Sequence, residues 1–286
     1  MSLEPRELDA NGLRFRCLET RGGGEPVVLL HGFPETSRMW TGLMERLGDE
    51  GYHCLAPDQR GYSPGARPVD VDQYKYEDIA SDVHALAMAA GFERFHLVGH
   101  DWGAIAGWAQ LAIDDSPVRS WTSLSIPHYR AWAQAIVDDP EQETYRGMLA
   151  VFTNPDKTAE ATFSADDFAL PRATWVHSSP EEVEDYLEVF RQPGALTAAF
   201  NWYRATGAHS QALEGAAVDF GPVTTPTLLI WGKNDPYIRR MSVDMARPYM
   251  RGDYRVVEVD AGHWLVQEAP EVVHDEILEH LNTNRT

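Results

Sequence analysis

Short apolar runs alternate with amphipathic helical stretches along most of this chain, and this alternation restricts the fold more than any other feature of the sequence. Val27–Leu30, for example, is an uninterrupted apolar run, as expected for a strand buried on both faces. Strands and helices in strict alternation are typical of a parallel sheet with helices on both sides. We therefore predict an α/β fold with a mostly parallel central sheet flanked by helices. The predicted strands are residues 13–18, 27–30, 52–56, 95–98, 118–125, 227–231 and 254–259, and the predicted helices are residues 36–47, 76–90, 104–111, 242–249 and 271–281.

The alternation stops between Pro127 and Phe220, where the sequence indicates helices and loops without strands. Its clearest helical stretches are residues 145–152, 180–190 and 194–207. An interruption of this kind is typical of a helical segment inserted into a sheet domain. We predict that residues 127–220 form a helical cap, and that residues 1–126 and 221–286 together form the α/β core.

Composition excludes several classes of protein. With 286 residues, 43% of them hydrophobic, the chain is long enough for one large domain with an insertion. A net charge of -20 argues against nucleic acid and anionic membranes as partners. Cys17 and Cys54 lie in predicted strands without metal-ligand spacing, and neither a secretory signal nor a membrane-spanning run is recognisable. We expect a cytoplasmic monomer or homodimer that uses no metal and no cofactor.

The stretch Gly99-His100-Asp101-Trp102-Gly103 follows an apolar run and precedes a predicted helix. It fits the glycine-x-nucleophile-x-glycine pattern of a sharp strand-to-helix turn, with Asp where serine is usual. In such a turn the central side chain points away from the carboxyl edge of the sheet, and the Trp102 amide faces the same site. The alternative is that Asp101 is only the acidic N-cap of an ordinary helix.

Two later residues extend this pattern. Asp235 and His263 each come just after a predicted strand, at the edge of the sheet where ligand groups collect. Taken singly, Asp235 could be a turn residue and His263 a helix cap. Taken together, the order nucleophile, acid, histidine is that of the α/β-hydrolases. The Phe33 amide, from His31-Gly32-Phe33-Pro34, would complete an oxyanion hole with that of Trp102.

Over nearly its whole length the chain resembles the α/β-hydrolase superfamily, and within it the soluble epoxide hydrolases. This resemblance implies an α/β-hydrolase fold with an inserted lid. It also implies that Tyr203 hydrogen-bonds the epoxide oxygen from that lid. The motifs that carry it are residues 31–34, 99–103, Asp235, residues 262–264 and, in the predicted cap, Asn201-Trp202-Tyr203-Arg204.

An aspartate nucleophile indicates the type of reaction. Carboxylate attack on a saturated carbon gives an alkyl ester that water can later cleave, so Asp101 predicts displacement at carbon. His263, oriented by Asp235, would activate the water. We predict an epoxide hydrolase that forms a vicinal diol. The alternatives are a haloalkane dehalogenase with the same nucleophile, and a binding protein that has kept the fold without the chemistry.

The comparison within the superfamily favours epoxides. Haloalkane dehalogenases often carry an Asn where this chain has Phe33, and fluoroacetate dehalogenases carry an Arg where it has Trp102. There is one departure, because epoxide hydrolases usually have two lid tyrosines and Met148 stands where the first is expected. Tyr145, one turn earlier, is a candidate for that role or an ordinary packing residue. The predicted lining of a pocket for a small, largely apolar substrate is Met148, Phe152, Trp175, Trp202 and Trp264.

Overall fold

An eight-stranded, mostly parallel sheet forms the centre of the molecule. The structure is a computed structural model, and it describes residues 3–20, 22–207 and 220–285. The strands are β1 (Leu3–Ala10), β2 (Leu13–Thr20), β3 (Glu25–Leu30), β4 (Tyr52–Pro57), β5 (Phe95–His100), β6 (Val118–Leu124), β7 (Thr227–Gly232) and β8 (Tyr254–Val259). They are arranged in the order β1-β2-β4-β3-β5-β6-β7-β8. β1 and β2 run antiparallel to their neighbours, and the other pairs are parallel.

Helices flank this sheet and also form a separate group over one edge. In the described residues the helices are α1 (Thr41–Asp49), α2 (Tyr76–Ala89), α3 (Trp102–Leu111), α4 (Tyr129–Asp138), α5 (Glu143–Phe152), α6 (Thr158–Thr174), α7 (Pro180–Phe190), α8 (Ala195–Ala205), α9 (Arg240–Asp244), α10 (Leu265–Glu268) and α11 (Pro270–Thr283). Every residue of β5 is buried, including its two histidines, as expected for a central strand covered on both faces. None of these helices is long and apolar enough to cross a membrane.

The predicted fold class is confirmed, and the differences lie in individual elements. β1 was not predicted, because its alternating polar residues reflect an edge strand with only partial burial. The predicted helix 242–249 is largely wrong. α9 ends at Asp244, and a separate single turn with Pro248 follows at Arg247–Tyr249. A proline in the helix interior would remove a backbone hydrogen bond, which accounts for the break.

The stretch from Pro127 to Gly207 contains α4 to α8 and no strand, and α7 and α8 make polar contacts with the core. The Trp202 indole donates a hydrogen bond to the Arg60 carbonyl at 2.8 Å, and Asp185 of α7 accepts one from Thr36 at 2.7 Å. Residues 208–219 of the predicted cap lie outside the described residues. The division of the chain at residues 127 and 220 stays a prediction.

Candidate active site

The turn between β5 and α3 is a strained elbow that holds Asp101 at its tip. Asp101 has φ 51° and ψ -118°, a conformation that L-residues rarely adopt. The flanking glycines are required by close backbone contact. A Cβ on Gly103 would lie 2.0 Å from the Leu30 carbonyl oxygen, and one on Gly99 would lie 2.4 Å from the Gly103 carbonyl oxygen. Asp101 makes no side-chain capping hydrogen bond to α3, so its carboxylate is free of the capping role considered above.

The loop after β3 approaches this carboxylate from the neighbouring strand. The Phe33 amide donates a hydrogen bond to Asp101 Oδ1 at 2.8 Å. Glycine is needed at position 32, because a Cβ there would lie 2.4 Å from the Asp101 Cβ. Trp102 is the first residue of α3, where backbone N–H groups have no partner within the helix. The Phe33 amide therefore binds the Asp101 carboxylate, while the Trp102 amide directly follows Asp101 at the start of α3.

His263 joins Asp101 to Asp235 across the ends of three parallel strands. Its Nδ1 donates to Asp235 Oδ2 at 2.7 Å, and its Nε2 lies 3.6 Å from Asp101 Oδ2. Asp235 is itself fixed, because its Oδ1 accepts hydrogen bonds from the Tyr237 and Ile238 amides at 2.8 and 2.9 Å. The structure thus brings together the three residues that the sequence singled out, with the imidazole oriented by a rigid carboxylate.

The imidazole of His263 and the neighbouring carboxylates each favour the charged form of the other. Burial alone would lower the pKa of His263, but the carboxylates of Asp235 and Asp101 outweigh it and raise that pKa to about 10. Burial alone would raise the pKa of Asp101, but the adjacent His263 lowers it below its usual value. At neutral pH the free protein therefore holds His263 as an imidazolium beside the Asp101 carboxylate.

Two tyrosines on the helices above line the same cavity as the Asp101 carboxylate. Tyr203 of α8 and Tyr145 of α5 are both buried, and both line the cavity that contains Asp101. Burial, followed by the negative charge of Asp101, raises the pKa of each hydroxyl well above its usual value. Both hydroxyls therefore keep their protons and can donate hydrogen bonds. The Trp102 ring packs edge-on against Tyr203, with 4.9 Å between centroids, and fixes its position.

The cavity between these helices and the sheet has a volume of about 370 Å³. Met148, Phe152 and Trp264 line it, as predicted from the sequence. Trp202 and Trp175 do not line it, so for these two residues the prediction made from the sequence is wrong. Trp202 neighbours Tyr203 on one helix, so the two side chains point in different directions, and the Trp202 indole binds the Arg60 carbonyl instead. Trp175 packs against Tyr186 and Phe190 in the interior of the helical layer.

Several lining residues were missed by sequence reasoning. Phe163, Leu170 and their neighbours on α6 carry no recognisable signal, because that helix contains Pro171 and was not predicted. The ring centroid of Tyr237 lies 5.2 Å from that of His263. Tyr237 comes shortly after Asp235 in the sequence, and this closeness in the chain could have identified it as a lining residue.

A second polar layer lies behind His263. Glu35 is fully buried, accepts a hydrogen bond from the Gln267 amide at 2.6 Å, and lies 3.4 Å from His100 Nδ1. His100 Nε2 in turn donates to the His263 carbonyl at 2.9 Å. This layer anchors the backbone of the His263 loop to the elbow strand.

The chain is similar in sequence and in structure to several known proteins. The α/β-hydrolase fold family model matches residues 25–270. The chain is 33% identical to epoxide hydrolase A of Mycobacterium tuberculosis and 32% identical to the AB hydrolase superfamily protein YfhM of Bacillus subtilis, with 96% of both chains covered in each case. Its structure is also similar to the crystal structure of epoxide hydrolase A from Mycobacterium thermoresistibile, with a TM-score of 0.80, 26% identity and 98% of both chains covered.

Proposed function

Since this chain belongs to the α/β-hydrolase superfamily, in the family that includes epoxide hydrolase A, we propose that it is a hydrolase that opens an epoxide to a vicinal diol through an ester on Asp101. One observation carries the proposal. A carboxylate nucleophile at a strained elbow faces two protonated tyrosine hydroxyls across an apolar cavity. Carboxylate and hydroxyl donors on opposite sides are what ring opening requires, since one atom attacks carbon while the oxygen leaves.

In the first half-reaction an Asp101 oxygen forms a bond to an epoxide carbon, and the bond from that carbon to the ring oxygen breaks. Tyr203 and Tyr145 hydrogen-bond the ring oxygen, which takes up a proton as it leaves. The other Asp101 oxygen stays fixed by the Phe33 amide. The products are an alkyl ester on Asp101 and a hydroxyl on the adjacent carbon.

Formation of the ester changes the charge that His263 experiences. In the free protein His263 is held protonated partly by the negative charge of Asp101. The ester is neutral, so the pKa of His263 falls, and the proton that it releases replaces the one that a lid tyrosine gives to the ring oxygen. The neutral imidazole, oriented by Asp235, can then act as a general base.

In the second half-reaction His263 removes a proton from water, and the resulting hydroxide attacks the ester carbonyl of Asp101. The Phe33 and Trp102 amides stabilise the oxyanion of the tetrahedral intermediate. Its collapse breaks the bond between the Asp101 carbonyl carbon and the alkoxy oxygen, and the proton of the newly formed carboxylic acid passes to that oxygen, which releases the diol and restores the carboxylate beside protonated His263. We propose that α4 to α8 belong to the cap of residues 127–220 and supply the two tyrosines, while the core supplies the other groups.

Trapping of the ester tests this proposal. With His263→Gln the ester should form but not hydrolyse, so intact-protein mass spectrometry should show an adduct of one styrene oxide, which peptide mapping locates at Asp101. Asp101→Asn should show neither adduct nor turnover. Asp260→Asn is a matched control, because that exposed carboxylate follows β8 without facing the cavity.

A halide-release assay distinguishes the epoxide hydrolase from the main alternative, a haloalkane dehalogenase. A haloalkane dehalogenase would release bromide from 1-bromobutane and leave styrene oxide unchanged. The Trp102 side chain hydrogen-bonds Tyr203, and Phe33 has no side-chain donor, so neither of the two positions compared with the dehalogenases offers a free side-chain donor to a halide. Bromide release without diol formation would refute the epoxide assignment, and tight diol binding without turnover would indicate a binding protein.

A further inference from the structure

Among the described residues, Tyr237 is the cavity tyrosine that the proposed reaction does not use. It lines the cavity together with Tyr145 and Tyr203, but it belongs to the loop after β7 and not to the helices above. Its ring centroid lies 5.2 Å from that of His263, and the two ring planes are at 88°. Perpendicular aromatic rings at this distance attract each other, because the edge of one ring meets the face of the other. Tyr237 therefore contacts the proposed general base.

Tyr237 and Trp264 form an aromatic corner around the imidazole of His263. The centroids of Trp264 and His263 are 5.3 Å apart with their planes at 85°, and those of Tyr237 and Trp264 are 6.0 Å apart at 88°. The three rings are thus nearly perpendicular to one another. His100, the last residue of β5, adds a third ring at 5.0 Å from the imidazole. Packing from several directions restricts the rotation of the imidazole about its side-chain bonds.

Tyr237 is held by a different loop from the catalytic histidine. Its amide donates to Asp235 Oδ1 at 2.8 Å, in the turn that follows β7. This turn is anchored to the strand, because the Trp231 indole donates to the Ile238 carbonyl at 2.8 Å. Trp264, in contrast, directly follows the histidine in the chain. Of the two rings in the aromatic corner, Tyr237 therefore gives the imidazole a contact whose position does not depend on the histidine loop.

Formation of the ester removes one of the two attachments of the imidazole. In the free protein His263 Nδ1 donates to Asp235 Oδ2 at 2.7 Å, and Nε2 lies 3.6 Å from Asp101 Oδ2. The ester on Asp101 is uncharged, so the attraction between its oxygen and Nε2 is lost. An imidazole held by one hydrogen bond can pivot about that bond and carry Nε2 away from the ester carbonyl. The ring contact with Tyr237 opposes this motion.

We propose that Tyr237 is a positioning residue for His263, and that its ring keeps Nε2 directed at the ester after the ion pair with Asp101 has been lost. The inference rests on the proposed epoxide hydrolase function and adds a residue to its second half-reaction. The ring of Tyr237 is required, and its hydroxyl is not. Formation of the ester does not depend on Tyr237, because the charge of Asp101 still orients the imidazole at that stage.

Single-turnover kinetics separates the two half-reactions. Excess protein is mixed with styrene oxide and quenched with acid, and intact-protein mass spectrometry follows the rise and the decay of the ester. Tyr237→Leu should slow the decay of the ester about five- to tenfold and change its formation less than about twofold. Tyr237→Phe keeps the ring and should retain both native rates. Tyr254→Leu is a matched control, because Tyr254 is a half-buried tyrosine at the start of β8 outside the cavity lining.

Three results would overturn the inference. The first is an unchanged decay of the ester in Tyr237→Leu. The second is an equal slowing of formation and decay in that variant, which would indicate a general disturbance of the site. The third is a decay in Tyr237→Phe as slow as in Tyr237→Leu, which would assign the effect to the hydroxyl.

Failure of the proposed function gives a different result. If the native protein forms no ester, the epoxide hydrolase proposal fails, and the positioning role is still measurable in Asp101→Asn, where the Asp101 charge is absent as in the ester. In this background nuclear magnetic resonance should show that Tyr237→Leu accelerates the exchange of the His263 Nδ1 proton with water severalfold. Tyr237→Phe should leave that exchange rate unchanged. Equal exchange rates in the Leu and Phe variants would overturn the inference.

Discussion

Replacement of Asp101 by Asn should lower the pKa of His263 strongly, since it mimics the charge change that the ester would cause. Asp101 Oδ2 lies 3.6 Å from His263 Nε2 in the buried site. With an effective dielectric constant of about 20, two unit charges at this distance interact by about 4.6 kcal/mol, which corresponds to a pKa change of about 3. The pKa of His263, about 10 in the native protein, should therefore fall to about 7.

Nuclear magnetic resonance titration of histidine labelled at Cε1 measures this change directly. The signal of His263 among the 11 histidines is identified by its loss in His263→Gln. Asp260→Asn, at an exposed carboxylate, is the control and should leave the pKa of His263 near its native value. If the pKa in Asp101→Asn stayed within about 1 of the native value, the charge-release step of the mechanism would be refuted.

The same pKa has a consequence for stability, and its sign follows from linkage. A histidine whose pKa is about 10 in the folded protein and about 6.5 in the unfolded chain stabilises the fold fully below pH 6.5, and this stabilisation is lost as the pH rises toward 10. Between pH 6.5 and 9.5 the loss should be about 3.5 kcal/mol for the native protein and below about 1 kcal/mol for Asp101→Asn. Urea denaturation of both proteins at pH 6.5 and 9.5 measures the difference, and parallel losses would contradict the assignment.

Two further predictions concern the lid tyrosines and the elbow. Tyr203→Phe and Tyr145→Phe should each reduce kcat for styrene oxide about 10- to 100-fold, because each variant removes a hydrogen bond to the developing alkoxide. An unchanged kcat in Tyr145→Phe would show that Tyr203 acts alone. Gly103→Ala should destabilise the fold by several kcal/mol or prevent folding, since the added Cβ would lie 2.0 Å from the Leu30 carbonyl oxygen. Gly147→Ala is the control. No atom lies within 4 Å of a Cβ added there, so this helix substitution should raise the melting temperature slightly.

The sequence by itself determined the fold class and the position of the candidate nucleophile. Apolar runs of strand length in strict alternation with helices leave a parallel sheet as the simplest arrangement. The paired glycines around Asp101 predict a sharp turn, because backbone contact at both positions excludes any side chain. Asp235 and His263 could be associated with Asp101 from sequence, since parallel strands end at one edge of the sheet. These are short-range patterns, or follow directly from the order of the elements.

Only the tertiary structure decided which helical side chains face that edge. Tyr203 faces the cavity and its neighbour Trp202 does not, because Trp202 lies on the side of α8 that packs on the core and hydrogen-bonds the Arg60 carbonyl. Tyr145 and Met148 both line the cavity, so a tyrosine from α5 reaches it even though Met148 stands at the expected tyrosine position. The rotation of a helix about its axis depends on contacts with residues far away in the chain. A sequence pattern gives the period of the helix, and packing alone fixes which of its faces covers the site.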